Sequence, residues 1–224
     1  MELRVLKRRD LTGSMTIVGD MGQATTASSS ASWNSVLEAL EPRRAPTRVD
    51  LTVSYRTPEE VLDFAAPTLR ASGVGLEPPR PVRRAGFEPV VERVEVAHFA
   101  TALVAAVRRE LEIVSPGRVA VIVASARIEE ITRILTDAGL AAVDPRDQDS
   151  RGLGADLVVL GAEGANGLEF DATLVVEPGE IARRGATAGE SSTPRGLRTL
   201  YVAMTRPTRR LAILASGELP ETLE

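Results

Sequence analysis

The sequence predicts a doubly wound, mostly parallel α/β sheet with helices on both faces. Three observations lead there. From Arg48 to Ala215, β-branched runs alternate with helical stretches. The runs Val119-Ala120-Val121-Ile122-Val123 and Leu157-Val158-Val159-Leu160 lack polar alternation, as strands covered on both faces must. Finally, 224 residues with 43% hydrophobic content suffice for one substantial core and an appendage.

The elements follow in order. Met1 to Arg9 is helix-like, with Leu3 and Leu6 at helical spacing and no capping signal, so the chain is expected to begin inside an element. Ser14 to Val18 reads as a short strand running into the polar turn Gly19-Asp20-Met21-Gly22-Gln23. A small-residue loop through Ser30 and a short helix from Ser32 to Leu40, with Trp33 as its packing anchor, close this first segment. The spacing then predicts strand Val49 to Val53, helix Pro58 to Arg70, strand Val90 to Val96 and helix Phe99 to Ile113. Next come strand Val119 to Val123, helix Arg127 to Asp137, and strands Leu157 to Leu160 and Thr173 to Val176. Helix Leu197 to Met204 and strand Arg210 to Ala215 complete the series. Val74 to Pro89, with four prolines and Arg80, Arg83 and Arg84, reads as an irregular surface connection. Pro178 to Pro194, rich in Gly, Ala, Ser and Thr, reads as a disordered loop.

Composition narrows the function classes. With no cysteine and only His98, disulfides and thiolate metal sites are excluded and a structural metal is not expected. No apolar run approaches the roughly 20 residues of a membrane span, and the start MELRVLKRRD is too charged for a signal peptide. A cytoplasmic location and no membrane partner are the expectation. The net charge of −4 provides no global attraction for a phosphate backbone, so nucleic acid would have to be met by a local strip or with a partner.

Four short motifs sit at strand or helix ends. In Thr16-Ile17-Val18-Gly19-Asp20-Met21-Gly22-Gln23 the neutral amide of Gln23 can donate to a phosphate oxygen or orient a water, although a polar turn after a strand would look the same. Ser54-Tyr55-Arg56-Thr57-Pro58 offers an aromatic face and a guanidinium fork just before a helix. Thr57, Pro58 and Glu60 read there as N-cap, N1 and N3. Gly167-Leu168-Glu169-Phe170 reads as a strand-to-helix turn with a buried Leu and Phe. Leu200-Tyr201-Val202-Ala203-Met204-Thr205-Arg206 places a cation at a helix C-terminus, worth at most about 1 kcal/mol as a purely helical device.

Together and in this order, the four resemble motifs III, IV, V and VI of UvrD/Rep-type superfamily 1 helicases. The resemblance covers nearly the whole chain and implies a RecA-like second motor domain over residues 47–216. Residues 1–46 would be the end of a first RecA-like domain, and 217–224 a tail. It implies that Gln23 senses the γ-phosphate, Asp20 organises its turn, and Tyr55 stacks on adenine. It further implies that Arg56 and Arg206 reach the γ-phosphate as arginine fingers, Glu169 lies near the ribose, and Gly167 allows close backbone approach. Ser54 stands for the usual Asn, and Pro207, in place of the usual Ala, is expected to end the helix after Arg206. Gly161, Glu163 and Asn166 stand where the family usually has Thr, His and Lys, which should weaken contact with a nucleic-acid backbone.

The sequence holds no G-x-x-x-x-G-K-[ST] loop and no acidic strand end for Mg²⁺. ATP and Mg²⁺ are therefore expected only together with the first RecA-like domain, and the isolated chain is expected to bind neither and to be inactive. Ser32-Trp33, the stretch S-Y-R-T-P-E-E-V and Leu168-Glu169-Phe170-Asp171 through Pro178 most resemble actinobacterial HelD-type ATPases, which implies RNA polymerase as partner. About 100 residues separate motifs IV and V, all needed for the core, so an accessory domain is not expected between them. A DNA-translocating repair helicase, with DNA bound weakly or not at all by this chain alone, and a non-catalytic interaction module are the rival expectations.

Overall fold

Alternating β-branched runs and helical stripes become, in the computed structural model, strands and helices laid over one another in three layers. The structure describes residues 2–10, 14–20, 33–42, 44–143, 155–187 and 191–224. Its helices are α1 (Glu2–Arg9), α2 (Trp33–Leu40), α3 (Glu59–Ala71), α4 (Phe99–Val114), α5 (Ile128–Asp137), α6 (Pro178–Ala182) and α7 (Pro194–Met204). Its strands are β1 (Val53–Ser54), β2 (Arg80–Pro81), β3 (Val90–Arg93), β4 (Val119–Val123), β5 (Leu157–Gly161), β6 (Phe170–Val176) and β7 (Pro207–Ala215).

The main sheet runs in the order β3-β7-β6-β4-β5 with every neighbouring pair parallel. Val121 pairs with Val159 on one side and Leu174 on the other, so β4 lies inside the sheet, buried along its whole length. Its alternate side chains divide between two cores. Ala120 and Ile122 join Val61 and Leu69 of α3, Ile181 of α6, and Leu200 and Met204 of α7. Val119, Val121 and Val123 join Leu103 and Val107 of α4 and Ile131 and Leu135 of α5. Helices therefore cover both faces, which is the RecA-like, doubly wound arrangement. Each fully buried Leu or Ile in these layers, such as Leu103 or Ile122, contributes about 1.5–3 kcal/mol. Among the described residues no helix is long and apolar enough to cross a membrane.

Several expectations are corrected. Ser14 to Val18 forms no strand: Met15, Ile17 and Val18 are exposed, and no strand among the described residues pairs with the segment. Strand propensity without a neighbouring ladder does not make a strand. Of Val49 to Val53 only Val53 is in a strand, in the short parallel pair β1 and β2, and Val49 and Leu51 are exposed. Thr57 does not cap α3. The residue before that helix is Pro58, and the buried Thr57 hydroxyl donates instead to the Thr205 carbonyl at 3.3 Å.

The expected disordered loop from Pro178 to Pro194 is largely ordered, with residues 188–190 outside the described residues. Pro178, Gly179, Ile181 and Ala182 of α6 are buried, and Thr193 caps α7 by accepting from the Gly196 amide at 2.9 Å. The small residues here serve close approach: a Cβ on Gly196 would strike the Ala182 carbonyl, and one on Gly179 the Glu218 carbonyl. The segment 217–224 is likewise packed, with Leu219 and Leu223 buried and the Thr68 hydroxyl 2.9 Å from that of Thr222. Trp33 is placed as expected, its ring 3.4 Å from the position a Cβ on Gly19 would take.

Candidate functional site

Parallel strands put all their N-terminal ends on one edge of a sheet, and three of the sequence motifs meet there. The Phe170 amide at the start of β6 donates to the Arg206 carbonyl, just before β7, at 3.3 Å. The hydroxyl of Thr57 donates to the Thr205 carbonyl, also at 3.3 Å. These two bonds bring Arg56, Glu169 and Arg206 each within one residue of a shared backbone contact. Across the resulting gap the Arg56 guanidinium forms an ion pair with the Glu169 carboxylate.

Arg56 stands on a braced tip. Arg83 Nε donates to the Arg56 carbonyl at 3.0 Å, and the Glu60 carboxylate accepts from the Ala85 and Gly86 amides at 3.2 and 2.9 Å. Arg84 pairs with Glu59. The proline-rich connection thus wraps the start of α3 and holds the Tyr55-Arg56 turn in place. Tyr55 at the tip is 76% exposed, its ring open to a stacking partner.

Arg206 is only 4% exposed. Its Nε donates to the Val202 carbonyl at 2.9 Å and its Nη2 to the Thr205 hydroxyl at 3.4 Å, so the guanidinium lies folded over the last turn of α7. Burial, and then the nearby Arg56 charge, hold its pKa below the usual arginine value, while Asp20 and Glu169 act in the opposite direction. Asp20 also helps, after burial itself, to push the Tyr201 phenol up to about 12. Asp20 is thus near enough to act electrostatically on Tyr201 and Arg206 at the C-terminal end of α7. Gln23 lies outside the described residues.

Gly167 has φ +81°, a conformation L side chains rarely adopt, and nothing lies within 4 Å of where its Cβ would be. Beside it a hollow of about 280 Å³ is lined by Arg118, Gly167, Leu168, Glu169 and Phe170. Arg118 was not singled out by sequence. It lies over the Phe170 ring at 5.7 Å and donates from Nη2 to the Glu169 carbonyl at 3.1 Å. The only local signal was a basic residue immediately before an apolar strand.

The fold is similar to that of the C-terminal domain of a possible DNA helicase from Lactobacillus plantarum WCFS1. The TM-score is 0.55 at 22% identity, covering 76% of this chain and 92% of that one. That likeness shows the fold. A second solved structure, the Pyrococcus furiosus Hef helicase domain, gives a TM-score of 0.35 at 16% identity, covering 67% of this chain and 29% of that one. No protein-family model matches the sequence, and no curated protein matches it.

The opposite edge of this RecA-like sheet carries a different arrangement. Open α/β sheets usually take ligands in the crevice at the C-terminal ends of strands where the winding reverses, here between β4 and β6. Arg127 occupies that position, bonded to Glu130 at 2.9 Å and Glu180 at 3.1 Å, with Glu177 at 3.9 Å and the Phe99 ring at 5.0 Å. Glu177, in the left-handed region at φ 51°, accepts from the Ser216 amide at 2.8 Å and the Gly217 amide at 3.1 Å. Gly161 and Glu163 belong to the same edge. Ser125 donates to Glu163 at 2.6 Å, Arg184 pairs with Glu163, and a Cβ on Gly161 would collide with the Ser125 hydroxyl. Gly161 and Glu163 are thus parts of one internal contact, on the opposite edge from Gly167 and Glu169.

Glu130, Glu163, Glu177 and Glu180 gather at this edge, and their negative charge disfavours a phosphate backbone there. This chain is expected to bind single-stranded DNA with a Kd weaker than about 10 µM at physiological salt, within the weak non-specific range. Fluorescence anisotropy with a labelled oligonucleotide checks this. A tighter constant with a steep salt slope would point to the Arg80, Arg83 and Arg84 strip instead.

Proposed function

We propose that this chain is the second motor domain of a superfamily 1 helicase-like ATPase, supplying Arg56 and Arg206 to an ATP site completed by a first RecA-like domain. The observation that carries this reading is the convergence of Arg56, Glu169 and Arg206, from three separate segments, on the N-terminal edge of β6 and β7. Guanidinium forks suit phosphate oxygens, and the exposed Tyr55 ring suits a purine face. Mg²⁺ takes oxygen ligands, which would come from the phosphates and the first domain. Met15, Ile17 and Val18, in the segment read as the end of that first domain, and Val49 and Leu51 are exposed apolar surface that the rest of it would cover.

Within that class we favour a HelD-like ATPase acting on RNA polymerase over a DNA-translocating helicase. The support is the sequence resemblance, the packing of α4, β4, α5 and β5 into one core, and the internally paired carboxylates Glu163, Glu177 and Glu180 on the C-terminal edge.

Steady-state ATPase assays test the reading. This chain alone is expected to show no turnover above background, and the complete motor, with its phosphate-loop domain, turnover that requires Arg206. Reproducible turnover by this chain alone, abolished by Arg206→Ala, would overturn it. Nucleotide-dependent capture of RNA polymerase by the complete motor tests the partner, and its absence would favour translocation on DNA.

A further inference from the structure

The Glu169 carboxylate occupies a place that suits an incoming anion. It pairs with Arg56 in a half-open setting, the two side chains 41% and 51% exposed, and its neighbour Phe170 is tied to the Arg206 carbonyl as Thr57, next to Arg56, is tied to the Thr205 carbonyl. Arg118 secures the backbone from which Glu169 projects, and the hollow beside Gly167 leaves open space next to the pair.

We propose that Glu169 is the resident counter-ion of a polyphosphate subsite, holding Arg56 near Arg206 until a phosphate group displaces it. The proposal rests on the reading of this edge as a nucleotide site, and it gives Glu169 a positioning role at the phosphates. The physical reason is charge. The Arg56 charge lies close enough to disfavour the charge on Arg206, and the Glu169 carboxylate acts on Arg206 in the opposite direction. A guanidinium accepts a carboxylate or a phosphate in the same bidentate geometry, and a polyphosphate brings more negative charge to it. An ion pair this exposed is held weakly, so the exchange is easy. Arg56 is thereby kept in place without nucleotide, and Glu169 competes with any bound polyphosphate.

Calorimetric titration of this chain with inorganic tripolyphosphate at low ionic strength tests the exchange. Glu169→Gln is expected to bind about five- to tenfold more tightly than the unaltered chain, since the competing ion pair and its charge are both removed. Arg56→Gln combined with Glu169→Gln is expected to lose that gain. Thermal unfolding midpoints of both variants should stay within about 2 °C of the parent, because a surface pair contributes little to folding. Equal or weaker binding by Glu169→Gln would overturn the counter-ion role while leaving the phosphate site intact. No binding by any of the three proteins at millimolar tripolyphosphate would overturn both this role and the reading of the edge as a phosphate site.

Discussion

Arg206→Ala is expected to lower ATP turnover by the complete motor about 10³-fold or more, with a much smaller change in the Michaelis constant. A guanidinium that meets charge developing on the transferred phosphoryl group acts on the transition state, so its loss appears in kcat. In this structure Arg206 is folded against the Val202 carbonyl and the Thr205 hydroxyl, so reaching a phosphate requires it to leave those partners. The substitution also removes those bonds, worth about 0.5–1.5 kcal/mol each. An unfolding midpoint measured beside the kinetics separates the two effects. Tyr55→Ala should behave oppositely, raising the Michaelis constant with kcat preserved, because stacking on a base is the same before and during the reaction. Its 76% exposure means that truncation costs the fold little. If Arg206→Ala changed stability alone, the residue would be a helix cap and the interaction-module reading would take over.

Glu110→Ala is expected to destabilise the chain by about 3–5 kcal/mol, the usual cost of stranding one partner of a buried ion pair. Glu110 is 0% exposed and receives Arg210 Nε at 2.7 Å and Nη2 at 3.2 Å, while the Arg210 guanidinium lies 4.7 Å from the Phe87 ring centre. Removing the carboxylate leaves the largely buried Arg210 cation without its bidentate acceptor. For a chain of this size the unfolding midpoint should fall by about 10 °C. The double variant Glu110→Leu, Arg210→Met should recover most of that loss, because apolar side chains of similar volume replace buried pairs at little cost. Denaturant unfolding of the parent, single and double variants gives the comparison. A loss below about 1 kcal/mol for Glu110→Ala would mean that water reaches Arg210.

Glu110 also marks a limit of reading the sequence. Phe99, Leu103, Ala106, Val107, Glu110 and Val114 form the buried stripe of α4, so the helix was legible from spacing with a carboxylate inside its apolar face. Its partner Arg210, a hundred positions on, was not. The motif tips Tyr55-Arg56 and Gly167 to Phe170 were legible because strand and helix ends carry local signals in residue type. Arg118 was not, since its place at the site comes from the pairing of β4 with β6.

The sequence by itself determined the alternation of buried strands and amphipathic helices, and with it a doubly wound sheet, because hydrophobic period and β-branching act within a few residues. Tertiary structure decided what small and charged residues do. Gly179 and Gly196 resembled loop residues by composition but allow close backbone packing, a distinction that exists only once the Glu218 and Ala182 carbonyls are placed against them. Glu163 appeared as a lost nucleic-acid contact and forms part of an internal network. Glu169 is paired with Arg56, because whether a charge meets ligand, solvent or another side chain depends on which strand ends share an edge.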